Sequence, residues 1–257
     1  MRPDQQTSMA FPKPGKALIG VMIALGCIWV AYACAVNFAD VDPAIAYPFI
    51  GNGVTSFIQP WRFLTAALLH HPNAPWHLLT TLLGLYFLGT TLEDRWGARK
   101  MLFFLAGSAM FAFAIQAAVG AMVPRLDSPR FYGGLGMVEA VAVAWALANR
   151  HAQIRLMFVL PVSGSMLLVF VFVMSVLNVI AARAPTEGLI TPFGGMLAGW
   201  LFGDYSPLRR LWLKLRLKQL QRETEAMRGA KARTRAASGL RVIPGGADRP
   251  KDKRDLN

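Results

Sequence analysis

The sequence predicts an all-α, polytopic membrane protein, and three observations support this prediction. Of the 257 residues, 54% are hydrophobic and only 16% are charged, whereas soluble globular domains carry about a quarter charged residues. The apolar residues are gathered in six blocks rather than spread along the chain. The net charge is +13, and most of it lies after the last block. Together these features disfavour a soluble enzyme, a disulfide scaffold and a nucleic-acid-binding domain.

The six blocks define six expected membrane helices. They are residues 17–36, 77–92, 101–123, 133–149, about 157–182, and 189–202. The first contains no charge and matches the roughly 20 residues needed to cross the hydrocarbon core, so we interpret it as a retained span and not as a signal peptide. The second and sixth are short and rich in Gly, Thr or Pro, which is typical of helices shielded from lipid inside a bundle.

The distribution of Lys and Arg predicts the orientation. The two termini and the even-numbered connections together hold 23 of these residues, and the opposite side holds 4. Positive residues concentrate on the cytoplasmic side, so we expect both termini inside, with residues 1–16 as a cytoplasmic segment before a membrane domain at 17–203. The first loop, residues 37–76, combines apolar stretches with interfacial Trp61 and Trp76, and we expect it to be partly embedded.

Four elements carry a resemblance to a known family. A Trp-Arg pair lies in the first loop, and a His-Leu pair opens the second block, which ends in Gly-x-x-x-Glu-x-x-x-Gly. An aromatic, glycine-rich segment enters the fourth block, and a glycine ladder occupies the sixth. The residues are Trp61-Arg62; His77-Leu78; Gly89, Glu93 and Gly97; Phe131-Tyr132-Gly133-Gly134-Leu135; and Gly195, Gly199 and Gly203. Over about residues 61–203 this order resembles the rhomboid superfamily of six-helix intramembrane serine proteases, and it implies that the glycines at 89, 195, 199 and 203 pack helices closely.

The resemblance also implies where the catalytic residues should be. A rhomboid protease has a Gly-x-Ser-Gly nucleophile at the top of the fourth helix and a general-base histidine three residues before the ladder of the sixth. Here the serine position is Gly136, followed by Met137, or it is Leu135 if the alignment slips by one residue. The histidine position is Pro192. Serine attack needs an adjacent base, so we expect no catalytic dyad and predict a rhomboid pseudoprotease.

The family's oxyanion-stabilising asparagine corresponds to Thr81, and its histidine partner is retained as His77. We expect a partly polar interior that contacts clients, formed by His77, Thr81, Gly134, Leu135, Gly136 and Glu139. Glu139 is ionisable in an otherwise apolar helix, where such groups face inward. Its carboxyl is expected to bond Thr80, Thr81 or His77 across the bundle, with ligand or client contact as the alternative.

Three other chemistries fit the sequence less well. A relocated dyad is disfavoured because a threonine inside a helix is hard for a peptide carbonyl to approach. A zinc site of His70, His71 and His77 has no nearby Cys or carboxylate, so no metal and no cofactor are expected. A small-solute transporter fits poorly, because the spans hold almost no ionisable group besides Glu139.

The basic tail begins after the last block, and residues 204–257 contribute +9 of the net charge. In residues 204–228 bulky apolar side chains alternate with cations, which predicts an amphipathic helix at the cytoplasmic membrane surface. The cations expected to bind anionic lipid headgroups are Arg209, Arg210, Lys214, Arg216 and Lys218. Nucleic acid is the weaker alternative because no folded reading platform is present. Residues 229–257 have a composition typical of disorder.

The client's identity, the biological process and the oligomeric state stay open at this point. What the resemblance implies is a bacterial inner-membrane protein whose lateral opening, near the second and fifth helices, admits another protein's transmembrane segment without cleaving it. The alternative function is intramembrane serine proteolysis by an unrecognised nucleophile.

Overall fold

Helices form nearly all of the regular structure. The computed structural model describes residues 13–150, 153–156, 160–181, 186–237 and 239. Its helices are α1 (Lys16–Phe38), α2 (Thr55–Ile58), α3 (Trp61–Thr65), α4 (Pro75–Gly84), α5 (Thr90–Trp96), α6 (Ala98–Met122), α7 (Leu135–Ala148), α8 (Gly164–Ile180), α9 (Thr191–Phe202) and α10 (Pro207–Ala237). Two short strands, β1 (Gln153–Leu156) and β2 (Leu160–Ser163), pair antiparallel.

The described residues fall into two units, one ending at Leu208 and one beginning at Arg209. The first unit holds the apolar helices and the hydrophobic core. Ten of the fourteen residues of α7 are buried, and α7 packs against α6, α8 and α9. The second unit is the exposed, basic part of α10.

The ladder glycines of α9 let that helix approach α7 closely. A Cβ added at Gly195 would lie 3.0 Å from Gly136 Cα, and one at Gly199 would lie 3.0 Å from Ala140 Cα. Backbones this near leave no room for a side chain, which is the general reason for small residues at membrane-helix interfaces. Gly89 is likewise in contact with side chains of α1 and α6.

Helices α4 and α5 form one unbroken run, because the five residues between them, Leu85–Gly89, are a π-helix. Its C-terminal turn anchors α1. The buried carboxylate of Glu93 accepts the backbone N–H groups of Ala17 (2.8 Å) and Leu18 (3.1 Å), which have no partner within their own helix. This contact places a negative group at the positive end of the α1 dipole.

The first loop is tied down by Arg62. Its guanidinium donates to the carbonyls of Tyr47 (2.6 Å) and Ile50 (2.9 Å) and also to Gln59 Oε1. Trp61, the residue before it, is 54% exposed. The loop then continues through a 3₁₀ turn at Ala66–Leu68 to the histidines that precede α4.

Within the described ranges, two helices, α1 and α6, are long and apolar enough to cross a membrane by length and composition. Helices α7 and α8 are apolar but shorter. The predicted helical class is confirmed, with one departure: the fifth block was expected to begin at about residue 157, but α8 begins at Gly164, after the β1–β2 hairpin. Gly164 lies against the backbone carbonyls of Ala146 and Asn149 at the end of α7.

The basic segment also differs from its expected extent. Regular helix was expected to end at residue 228, but α10 continues to Ala237. The part of α10 after residue 228 is rich in alanines and long cationic side chains, which have high helix propensity. This propensity outweighs the low hydrophobicity that predicted disorder. Residues 240–257 of the expected disordered tail, and residues 1–12 of the N-terminal segment, lie outside the described residues.

Candidate functional site

The position expected for a nucleophile is filled by a neighbouring helix. Gly136 lies buried in the first turn of α7. A Cβ added there would come within 2.7 Å of the Ala112 Cβ on α6 and 3.2 Å of Thr191 Cγ2 on α9, whereas carbon atoms prefer separations of about 3.5–4.0 Å. The space that a serine side chain would need is therefore occupied by the Ala112 methyl group. Leu135, the alternative position, is half-buried.

The position expected for a general base is Pro192, which is buried in the first turn of α9. Proline suits this place because its missing N–H would have no partner within the helix. The neighbouring Thr191 is fully buried, and its hydroxyl donates to the Glu187 carbonyl. Neither the residue at the serine position nor the one at the histidine position can exchange a proton.

A carboxylate that the sequence analysis overlooked lies at the centre of this region. Glu187 Oε1 is 2.7 Å from His77 Nε2, and Glu187 Oε2 accepts the Leu135 N–H at 2.6 Å, at the N-terminus of α7. The side chains of His77 and Glu187 are 17% and 6% exposed. Burial raises the pKa of the Glu187 carboxyl, and its hydrogen bond to His77 opposes that rise. The only sequence signal was an acidic residue, followed by glycine, at the edge of the sixth apolar block.

The hydrogen bonds of His77 fix its tautomer. The backbone N–H of His71 donates to His77 Nδ1 at 3.1 Å. Because an amide can only donate, Nδ1 carries the lone pair, and the proton of the neutral ring is on Nε2, from which it is donated to Glu187. A ring with Nε2 already protonated cannot accept a proton there, so His77 is not placed as a general base.

The loop before α9 holds Glu187 in place from several sides. Ile190 N donates to Gln116 Oε1 at 2.7 Å, and Gly188 adopts a φ of +88°, where glycine is favoured. Gly133, with a φ of +133°, passes so close to Glu187 that any side chain at residue 133 would collide with it. The backbone on both sides is thus shaped around this carboxylate.

Thr81 bonds the backbone of His77 and not its side chain. Its hydroxyl donates to the His77 carbonyl (3.3 Å) and lies 3.2 Å from His70 Nε2. Thr81 also lies against Gly134, where an added Cβ would be 2.8 Å from the hydroxyl oxygen. His70 is fully buried, and burial lowers its pKa to about 4.

Glu139 is buried on the face of α7 that meets α9, close to Gly195. Its Oε2 atom has no hydrogen-bond partner among the described residues. The expected bonds to Thr80, Thr81 or His77 are wrong, because Thr80 donates to the carbonyls of Trp76 and His77 and the other two are engaged as described above. In the described part of the chain, no group of three or more His, Cys, Asp or Glu has a geometry suited to a metal ion.

The fold and the site define an integral membrane protein of apolar helices around a small polar centre beneath one end of α7 and α9. The family follows from a direct comparison: a family model described as Rhomboid domain matches residues 58–207, more than half of the chain. The chain belongs to the rhomboid family. No curated protein matches it.

Proposed function

We propose that this rhomboid-family protein is a pseudoprotease that binds transmembrane segments of client proteins without cleaving them. The observation that carries the proposal is the packing at Gly136, where the Ala112 methyl group takes the space of a nucleophile. Acyl transfer by a serine requires both the hydroxyl and an adjacent base. Gly136 and Pro192 provide neither.

The electrostatic part of the reaction is also missing. An oxyanion hole needs hydrogen-bond donors aimed at the place where negative charge develops. Two groups that could serve, His77 Nε2–H and the Leu135 N–H, already donate to Glu187. A substrate carbonyl would have to displace a carboxyl group that is bound through both oxygens.

A client segment would enter beside α8. Only Gly164, Leu167 and Ser175 of this helix are buried. Its other face presents large apolar side chains, among them Val169 (63% exposed) and Phe172 (54% exposed). A helix with so few buried residues suits lateral opening between α4 and α8, which would bring a client beside the polar centre. The partly polar interior at His77, Thr81, Gly134, Leu135, Gly136 and Glu139 then holds the client.

The proposed topology has six crossings in a bacterial inner membrane with both termini cytoplasmic. The crossings are α1, the α4–α5 run, α6, α7, α8 and α9. Helices α7 and α9, about 21 Å and 18 Å long at 1.5 Å per residue, are shorter than the hydrocarbon core. Helix α7 is mostly buried among its neighbours, and α9 packs one face against α6 and α7 while Leu197 and Trp200 on its other face are exposed. Such packing is the setting in which short spans are tolerated. The 23-to-4 distribution of Lys and Arg supports this orientation.

The exposed part of α10 is proposed to lie on anionic lipid at the cytoplasmic surface. Residues 209–218 contain five cations and no acid, interleaved with Leu and Trp. Arg216 stacks over Trp212, with 5.5 Å between the guanidinium carbon and the ring centroid, which suits an indole at a headgroup boundary. Nucleic acid remains the disfavoured alternative partner.

The alternative function is proteolysis by an unrecognised nucleophile, and one contact favours it. Thr186 Oγ1 lies 3.4 Å from His77 Nε2, and His77 is paired with Glu187. In a catalytic triad, however, the acid and the hydroxyl bind opposite ring nitrogens. Here both lie at Nε2, while Nδ1 is held by an amide, so the arrangement does not work as a triad.

Site-specific photo-crosslinking tests client binding. A photoreactive residue at position 135 lies beside the degenerate centre, and one at Phe103, which is 68% exposed on α6, is the matched control. In native membranes we expect position 135 to capture membrane proteins through their transmembrane segments, and position 103 not to capture them. Equal capture at both positions, or none at 135, would contradict the proposal.

A further inference from the structure

We infer that Glu187 is a specificity-determining residue: it fills the polar centre with the chain's own carboxylate and so selects clients whose transmembrane segments are continuous helices. This inference depends on the client-binding function proposed above and adds the class of client. Its basis is the pair of contacts from one carboxylate to His77 Nε2 (2.7 Å) and to Leu135 N (2.6 Å).

Each of the two side-chain oxygens of residue 187 faces a hydrogen-bond donor, so both oxygens must act as acceptors. The Leu135 amide can only donate, and His77 Nε2 carries the ring proton because Nδ1 receives the His71 N–H. A carboxylate accepts from both groups at once. A glutamine has only one acceptor oxygen, so its NH₂ group would face one of the two donors.

The same contacts determine which conformation of a client segment can bind at the polar centre. A continuous helix satisfies its own backbone carbonyls, so it needs no donor from the protein. An unwound segment brings carbonyls without partners into a low-dielectric site, where an unmade hydrogen bond is unfavourable. Because Glu187 occupies both donors, an unwound client finds none available at this place.

The surrounding backbone holds the Glu187 side chain in this position. Gly133 leaves the space in which the Glu187 side chain lies, and the Thr191 hydroxyl binds the Glu187 carbonyl. Gln116 holds the next part of the loop through Ile190. The side chain enters from a loop fixed on both flanks.

The test uses the full chain in lipid nanodiscs and two labelled peptides. One is an uninterrupted Leu-Ala transmembrane helix, and the other is the same peptide with a central Gly-Pro pair. We expect the wild-type protein to bind the continuous peptide at least as tightly as the interrupted one. Glu187→Ala should bind the interrupted peptide about tenfold more tightly than the wild type does, as expected for one regained hydrogen bond, with little change for the continuous peptide.

Two further variants keep the result interpretable. Glu187→Gln preserves side-chain volume and should shift the preference in the same direction but by less. His71→Ala, whose backbone N–H still reaches His77, should bind both peptides as the wild type does. If both peptides bind but Glu187→Ala leaves their ratio unchanged, or if the wild type prefers the interrupted peptide, the inference is overturned. If neither peptide binds to any variant, the client-binding function itself fails.

A measurement without any client tests whether Glu187 occupies the two donors, His77 Nε2–H and Leu135 N–H. In Glu187→Ala the two donors are freed, so sodium formate should raise the thermal unfolding temperature in a concentration-dependent manner, relative to sodium chloride at equal ionic strength. The wild type should not respond differently to the two salts. Absence of a formate effect in Glu187→Ala would contradict the assignment of His77 and Leu135 as the donors that Glu187 occupies.

Discussion

Restoring a hydroxyl at position 136 should destabilise the protein, because the Ala112 methyl group occupies the required space. In Gly136→Ser the new Cβ would lie 2.7 Å from Ala112 Cβ. Overpacking of this kind destabilises by about 1–3 kcal/mol, and the better helix propensity of serine offsets roughly 0.5 kcal/mol of it. We therefore expect a net loss of about 0.5–2.5 kcal/mol. SDS-induced unfolding in mixed micelles measures it.

A double-mutant cycle isolates the steric cause. Ala112→Gly alone should be destabilising by about 1–2 kcal/mol, from lower helix propensity and the loss of one buried methyl group. When both changes are combined, the new side chain can use the vacated space, so the pair should be less destabilised than the sum of the single variants by about 1–3 kcal/mol. A Gly136→Ser variant as stable as the wild type, or a coupling energy of zero, would refute the packing argument.

Three other outcomes follow from the structure. Glu93→Ala leaves two backbone N–H groups of α1 without an acceptor, so it should lower the free energy of unfolding by about 2–4 kcal/mol. The control Asp94→Ala, at an exposed residue, should change the free energy of unfolding little. Thermal unfolding compares the two variants. Burial holds the pKa of His70 at about 4, below the 6.5 of an unfolded chain, so its contribution to stability is present above pH 6.5 and is lost as pH falls towards 4, by about 3 kcal/mol. His70→Gln should flatten this acid-side dependence, and an unchanged pH profile would count against it. Finally, amide hydrogen exchange in residues 209–220 should be slower in nanodiscs with anionic lipid than in zwitterionic ones. Either 0.5 M salt or the changes Lys214→Glu and Lys218→Glu should remove this difference. Equal exchange in both lipids would contradict the surface-binding proposal.

The helical architecture could be predicted because it depends on local composition. Apolar blocks, the spacing of Gly195 and Gly199, and the His-Leu start of the second block all lie within single elements, and the family comparison agrees with them. The hairpin before α8 could not be predicted, since a hydropathy average does not distinguish an apolar strand from a helix start. The end of α10 was misplaced for a similar reason, because low hydrophobicity alone does not decide between exposed helix and coil.

The centre itself was only half predictable. The prediction that Gly136 and Pro192 stand at the dyad positions comes from the family resemblance of the sequence. Ala112 and Glu187 could not be identified, because their roles depend on which residues of distant segments meet at the top of α7. Glu187 is 110 residues from His77 in the sequence, and nothing in its local pattern indicates a bound carboxylate. The expected partners of Glu139 were wrong for the same reason. His77 pairs with Glu187, and Thr80 and Thr81 donate to backbone carbonyls.

Incubation of the purified full chain with a helix-destabilised transmembrane substrate, in the presence and absence of a fluorophosphonate serine probe, tests the loss of protease chemistry most directly. With no nucleophile at position 136, no base at 192 and the donors at His77 and Leu135 engaged by Glu187, the account predicts neither cleavage nor covalent labelling. Cleavage that the probe abolishes would contradict it.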